Sequence, residues 1–173
     1  MTLYLIIGKL VTMRIIGIDP GIAIVGFGVI DCKGNKQHAV SYGAITTPPD
    51  MPMGKRLLTI QENLETVIKN HQPESCGIET LYFSKNVKTA MAVSQARGVI
   101  LCTLEMHKIP VFHYSPTEVK SAILGYGGAE KKQIQFMTKE LLKLAKLPKP
   151  DDVADALAIA ICHHHSNSLK YVR

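Results

Sequence analysis

Residues 14–31 read RIIGIDPGIAIVGFGVID. The short apolar run over residues 15–18 reads as a buried strand that ends on a charge, Asp19. A Pro20-Gly21 corner turns the chain into a second run, where Val25, Phe27 and Val29 alternate with Gly26, Gly28 and Ile30, the period of a second strand. An isolated carboxylate is costly in a low-dielectric interior, so Asp19 requires a salt-bridge partner, a turn N–H or a metal ion.

Lys33-Gly34-Asn35 is a turn and residues 38–45 form a third strand, so the chain opens as an antiparallel meander. Leu57, Ile60, Leu64, Val67 and Ile68 share one helical face, which Pro73 closes. Residues 75–78 are a short strand ending at Glu79. A long helix follows over 87–107, whose Ala90, Ala92, Ala96 and Gly98 allow close packing. Residues 111–113 give a fifth strand. Ser115-Pro116-Thr117-Glu118 is a helix start, with an N-cap serine, proline at N1 and a capping-box glutamate at N3. Ile134, Met137, Leu141 and Leu144 mark another helix, and Val153, Leu157, Ala160 and Ile161 a last one. Three antiparallel strands followed by strands alternating with helices predict an α/β fold with a mixed sheet.

The chain has 173 residues, room for one domain and too little for two lobes around a cleft. No apolar stretch is long enough to cross a bilayer. Residues 1–12 lack a basic start and a small-residue cleavage site. They read as an extension outside the fold, with a single domain over 13–165 and a short tail over 166–173. Cys32, Cys76, Cys102 and Cys162 lie far apart, each in an apolar run, as expected of reduced core thiols in a cytoplasmic protein. Net charge is +6, and residues 130–149 hold six lysines against two glutamates. That run is either a solvated helix face or a face that meets phosphates.

Further acids stand at element ends. Glu79 closes its strand, and Asp151, Asp152 and Asp155 open the last helix, where the i, i+3 spacing puts Asp152 and Asp155 on one side of the first turn. Local explanations exist for most of them: Asp19 as a turn former, Asp151 as an N-cap, Asp152 or Asp155 as a first-turn acid facing the helix dipole. Glu79 has none. If the strands carrying Asp19 and Glu79 are neighbours, the four carboxylates Asp19, Glu79, Asp152 and Asp155 could not all stay ionised without a cation. Magnesium suits such oxygen donors, and two ions roughly 3.5–4 Å apart would activate water and stabilise a departing oxygen.

GIDPG around Asp19, IETLYFSKN at Glu79, QARG at 95–98, VK at 119–120, GAEKKQ at 128–133 and DVADALAIA at 152–160 occur in order. Together they resemble a RuvC-type Holliday junction resolvase over residues 13 to about 165. The resemblance implies a ribonuclease H-like fold, a five-stranded mixed sheet with its first three strands antiparallel and helices on its faces. It implies a homodimer that makes paired symmetric nicks in four-way DNA junctions during recombination and repair, with Mg²⁺, replaceable by Mn²⁺, as cofactor. It also implies partnership with a branch-migration motor complex. Carried over by position, Asp19, Glu79, Asp152 and Asp155 are the metal-binding acids, and Lys120 and Lys131 the lysines that face the substrate. Tyr82 stands where the family carries an exposed aromatic that wedges into the junction; Phe83 would exchange roles with it if the segment is irregular. Lys85, Asn86 and Lys132 complete the DNA-binding set.

His163-His164-His165 resembles a zinc cluster only in composition, because consecutive helical residues point in different directions; the triplet reads as solvated or helix-capping. An actin-like or sugar-kinase ATPase shares the D-x-G turn but needs a second lobe. A non-catalytic binding module would have degenerate carboxylates. The remaining alternative is another ribonuclease H-like nuclease with a different substrate.

Overall fold

The computed structural model describes residues 12–80 and 87–168. Strands β1 (Met13–Asp19), β2 (Ile24–Lys33), β3 (Lys36–Thr46), β4 (Ser75–Glu79) and β5 (Val111–Tyr114) form one sheet in the order β3-β2-β1-β4-β5. β3, β2 and β1 run antiparallel, whereas β4 and β5 join β1 in parallel. This is the mixed, helix-flanked sheet that the sequence predicts.

Helices α1 (Met53–His71), α2 (Val87–Met106), α3 (Pro116–Leu124), α4 (Lys131–Leu141) and α5 (Asp151–Ser168) complete the fold. Strand alternation sorts side chains between two cores. Ile16, Ile18, Val25, Val29 and Ile78 pack with Ile60 and Leu64 of α1 and Ile100 and Leu104 of α2. Ile15, Ile30, Cys32 and Tyr114 pack on the opposite face with α5, and with Val119 of α3 and Ile134 of α4. The helix signals hold locally. Ser115 and Glu118 exchange both capping-box bonds at the start of α3, and α1 stops at Gln72, in the left-handed conformation (φ 47°), one residue before Pro73.

Helix α5 lies very close to the sheet. A Cβ on Gly17 would stand 2.1 Å from the Ala156 carbonyl oxygen, and one on Gly26 would stand 2.0 Å from that of Asp152. Gly28 and Gly77 similarly lie under Leu157 and under Ile159 and His163. Glycines on three adjacent strands thus form a groove, and the alanines of α5 let its backbone settle into it. The first turn of α5 is held at the end of the sheet where β1 and β4 finish.

Three expectations change. Cys32, Cys76 and Cys162 are buried, but Cys102 is exposed, because the apolar run of α2 extends onto its solvent side. His163 and His164 are buried rather than solvated: α5 lies between the sheet and α3 and α4, so neighbouring positions meet protein in several directions. His163 spans Tyr114 Oη (2.7 Å) and Ser75 Oγ (2.9 Å), tying α5 to two strands. The last helix also continues to Ser168, three residues into the segment read as a tail. Among the described residues, no helix is long and apolar enough to cross a membrane.

Candidate metal centre

Asp19 and Glu79 are the last residues of two adjacent parallel strands whose preceding residues pair, Ile18 with Ile78. Those isoleucines point into the α1–α2 core, so alternation turns both carboxylates toward α5. The helix brings Asp152 and Asp155 to the same sheet end. Burial, followed by the charges of Glu79, Asp155 and Asp152, raises the Asp19 pKa to about 7. Burial and Asp155 raise that of Glu79, while Lys131 opposes them. Burial also raises Asp155 against the pull of Lys131. The cluster carries more negative charge than its surroundings neutralise.

A lysine answers part of it. Lys131, the first residue of α4, places Nζ 2.9 Å from Asp155 Oδ2 and 3.7 Å from Asp151 Oδ2. Asp151 also receives Lys149 Nζ at 3.1 Å. It lies within the first turn of α5, so it is a lysine anchor rather than the N-cap that the sequence implied. Beside these groups opens a cleft of about 270 Å³ whose walls include Glu79, Lys120, Lys131 and Asp155. Asp19 and Asp152 do not line it; the charges of its wall residues Glu79 and Asp155 reach Asp19, and that of Asp152 reaches Asp155 and Lys131. Lys132 is exposed and does not line the cleft. Tyr82, Phe83, Lys85 and Asn86 lie outside the described residues.

The donor chemistry fits a hard divalent cation: the groups are carboxylate oxygens, and their mutual repulsion is what such a cation would relieve. Their present positions are not yet those of a complete ligand set. Among the described residues, no three His, Cys, Asp or Glu side chains are placed to hold an ion, and the Lys131 ammonium occupies one oxygen of Asp155.

One part of the site has no counterpart in the sequence reading. Arg97, from the QARG motif, donates from Nη2 to His113 Nδ1 (2.8 Å) and from Nε to the Glu79 carbonyl (3.4 Å). Burial and the guanidinium lower the His113 pKa, which keeps the ring neutral and Nδ1 an acceptor. The pair ties the end of β4 to β5 behind Glu79. Only the motif itself signalled it, without a role, because its partners lie 16 and 18 residues away in sequence.

The family model for crossover junction endodeoxyribonuclease RuvC matches residues 15–163. The chain belongs to that family. It is 51% identical over 158 residues to the crossover junction endodeoxyribonuclease RuvC of Clostridioides difficile, covering 91% of this chain and 94% of the relative. It is 55% identical over 151 residues to that of Brevibacillus brevis, covering 87% and 91%. Among solved structures, the RuvC of Thermus thermophilus in complex with Holliday junction substrate superposes with a TM-score of 0.88 at 33% identity, covering 91% of this chain and 96% of that one. The ribonuclease H-like architecture expected from the motifs is thus the family's own, and the protein is a metal-dependent endodeoxyribonuclease.

Proposed function

We propose that this protein resolves four-way DNA junctions by hydrolysing phosphodiesters in two strands of like polarity, at the sheet end where Asp19, Glu79, Asp152 and Asp155 meet. The observation that carries this reading is the side-by-side placement of Asp19 and Glu79 at paired strand ends, facing the helix that bears Asp152 and Asp155.

The four carboxylates are the ligands for magnesium, two ions per site, with manganese as a substitute. Bound there, the metal supplies an activated water and stabilises the departing 3′ oxygen. The protein's own groups do the rest. Lys120 and Lys131 stand on the cleft wall with Glu79 and Asp155, where an ammonium neutralises a phosphate oxygen. Lys131, paired with Asp155 here, is the ammonium that would neutralise a phosphate oxygen, and Asp155 the carboxylate that would then be free to hold a metal ion. Arg97 and His113 hold the Glu79 end of β4 in place. Tyr82 or Phe83 stacks on an unpaired junction base, and Lys85, Asn86 and Lys132 contact the strands around it.

The active form is a homodimer, because paired nicks require two sites. Its supporting feature is the outer side of α2, where Met91, Gln95, Gly98, Cys102 and Met106 are all exposed at helical spacing. The protein works in the cytoplasm, and a branch-migration motor delivers its junctions. The reading is tested with a synthetic four-way junction beside a linear duplex of the same sequence. Cutting of the junction alone, at symmetric positions and only with Mg²⁺, supports it. Equal cutting of both substrates would reassign the protein to another ribonuclease H-like nuclease activity.

A further inference from the structure

The six lysines of residues 130–149 divide into two groups. Lys131, Lys139 and Lys149 are engaged by carboxylates, those of Asp151 and Asp155, of Glu140 and of Asp151 respectively. Lys132, Lys143 and Lys146 make no ion pair among the described residues, and all three are exposed. Between them lies Phe136, 56% exposed on α4. Lys132 and Phe136 are one helical turn apart and share one side of α4; Lys143 and Lys146 lie in the segment just beyond the helix, which ends at Leu141, with Lys143 in the left-handed conformation (φ 52°). At the N-terminal end of that side is a second ring. Tyr126, 49% exposed, donates from its hydroxyl to Gln133 Oε1 (3.2 Å), which also accepts the Glu130 N–H in the α4 capping box. The ring is therefore fixed against α4 rather than loose on the surface.

We propose that this face of α4, with Lys132, Phe136 and the adjoining Tyr126, continued by the exposed Lys143 and Lys146 in the segment after the helix, is a second nucleic-acid contact, on which an arm of the substrate lies as it leaves the cleft. The inference rests on the proposed function and extends it from Lys132 to Tyr126, Phe136, Lys143 and Lys146, which that reading does not use. Unpaired ammonium groups interleaved with exposed rings match a polyanion that carries flat apolar surfaces between its charges, and lysines alone would not need the rings. The face is also continuous with the cleft, because α4 begins at Lys131, on the cleft wall, and Phe136 lies about 7.5 Å further along its axis. In this arrangement the lysines meet phosphates and the rings lie against sugars or bases. The rings contribute affinity that salt does not screen.

The test is equilibrium binding of a labelled four-way junction without divalent metal, across a salt series. Phe136→Ala is expected to weaken binding roughly fivefold or more at every salt concentration, with Phe136→Tyr restoring most of it. Lys132→Ala and Lys143→Ala are each expected to lower the slope of log affinity against log salt by about 0.9. Leu58→Ala, equally exposed on α1, serves as the control and should bind as wild type. If wild type binds and cuts the junction while Phe136→Ala and Tyr126→Ala bind it equally well, the contact is wrong although the proposed function stands. A wild-type protein that neither binds nor cuts the junction would overturn both.

Discussion

In an unfolded chain the Asp19 carboxyl has its ordinary pKa of 3.8; in the fold, burial and neighbouring acids raise it to about 7. Between those values the folded state binds more protons than the unfolded one, so stability falls as pH rises through that interval. The penalty is absent below about pH 4 and complete above about pH 7. Metal-free Asp19→Asn is therefore expected to melt higher than wild type at pH 8, by about 3 °C or more, with the difference gone near pH 4. Scanning calorimetry at the two pH values decides it; equal melting temperatures at both would mean that Asp19 carries no electrostatic burden. Lys131 gives a second prediction. It competes with metal for Asp155, so Lys131→Gln should bind Mn²⁺ at least as tightly as wild type by calorimetry. It should nonetheless cut junctions more slowly by on the order of a hundredfold. Weaker metal binding would show that the lysine supports the carboxylate instead of competing for it. Asp19 and Glu79 were legible in the sequence because a charge closing an apolar strand has few local explanations. The Lys131–Asp155 pair was not, because it depends on how α4 is set against α5. The buried histidines were misread for a related reason: no local signal says that a helix will be covered on both sides.

The position of α5 depends on glycines, of which Gly26 and Gly28 enter the sequence reading only as alternating strand positions. Their signal was present, since Gly17, Gly26, Gly28 and Gly77 recur on the strands that α5 crosses. It becomes interpretable only once the sheet order places them on one face. The strands, helices and the Ser115 cap were legible, because periodicity and capping are local. Gly26→Ala drives a methyl group into the Asp152 backbone, where overpacking costs about 1–3 kcal/mol. It should displace the first turn of α5, so cleavage falls further than the loss of stability explains. Gly54→Ala, where an added Cβ meets nothing within 4 Å, lies in α1 and should instead stabilise by about 0.5–1 kcal/mol. Denaturant melts and junction cleavage on the two variants separate the effects. Matching losses in both variants would mean that the groove does not set the helix position.

For the whole molecule, the described residues form one sheet with two cores and, among them, one acidic sheet end, which leaves paired cutting to a pair of chains. The exposed side of α2 is the surface proposed to join them. Cys102→Arg puts a charge into that stripe and should give a monomer by light scattering at micromolar concentration, where wild type is expected to be a dimer. A wild-type monomer at that concentration would argue against coordinated nicking. The central claim is that Asp19, Glu79, Asp152 and Asp155, distant in sequence, close on divalent cations. The most direct measurement is an anomalous-difference map from crystals soaked in Mn²⁺. A peak about 2.0–2.2 Å from oxygens of at least three of the four carboxylates, lost in Asp19→Asn crystals, is the predicted result. A peak elsewhere, or none at saturating Mn²⁺, would contradict it.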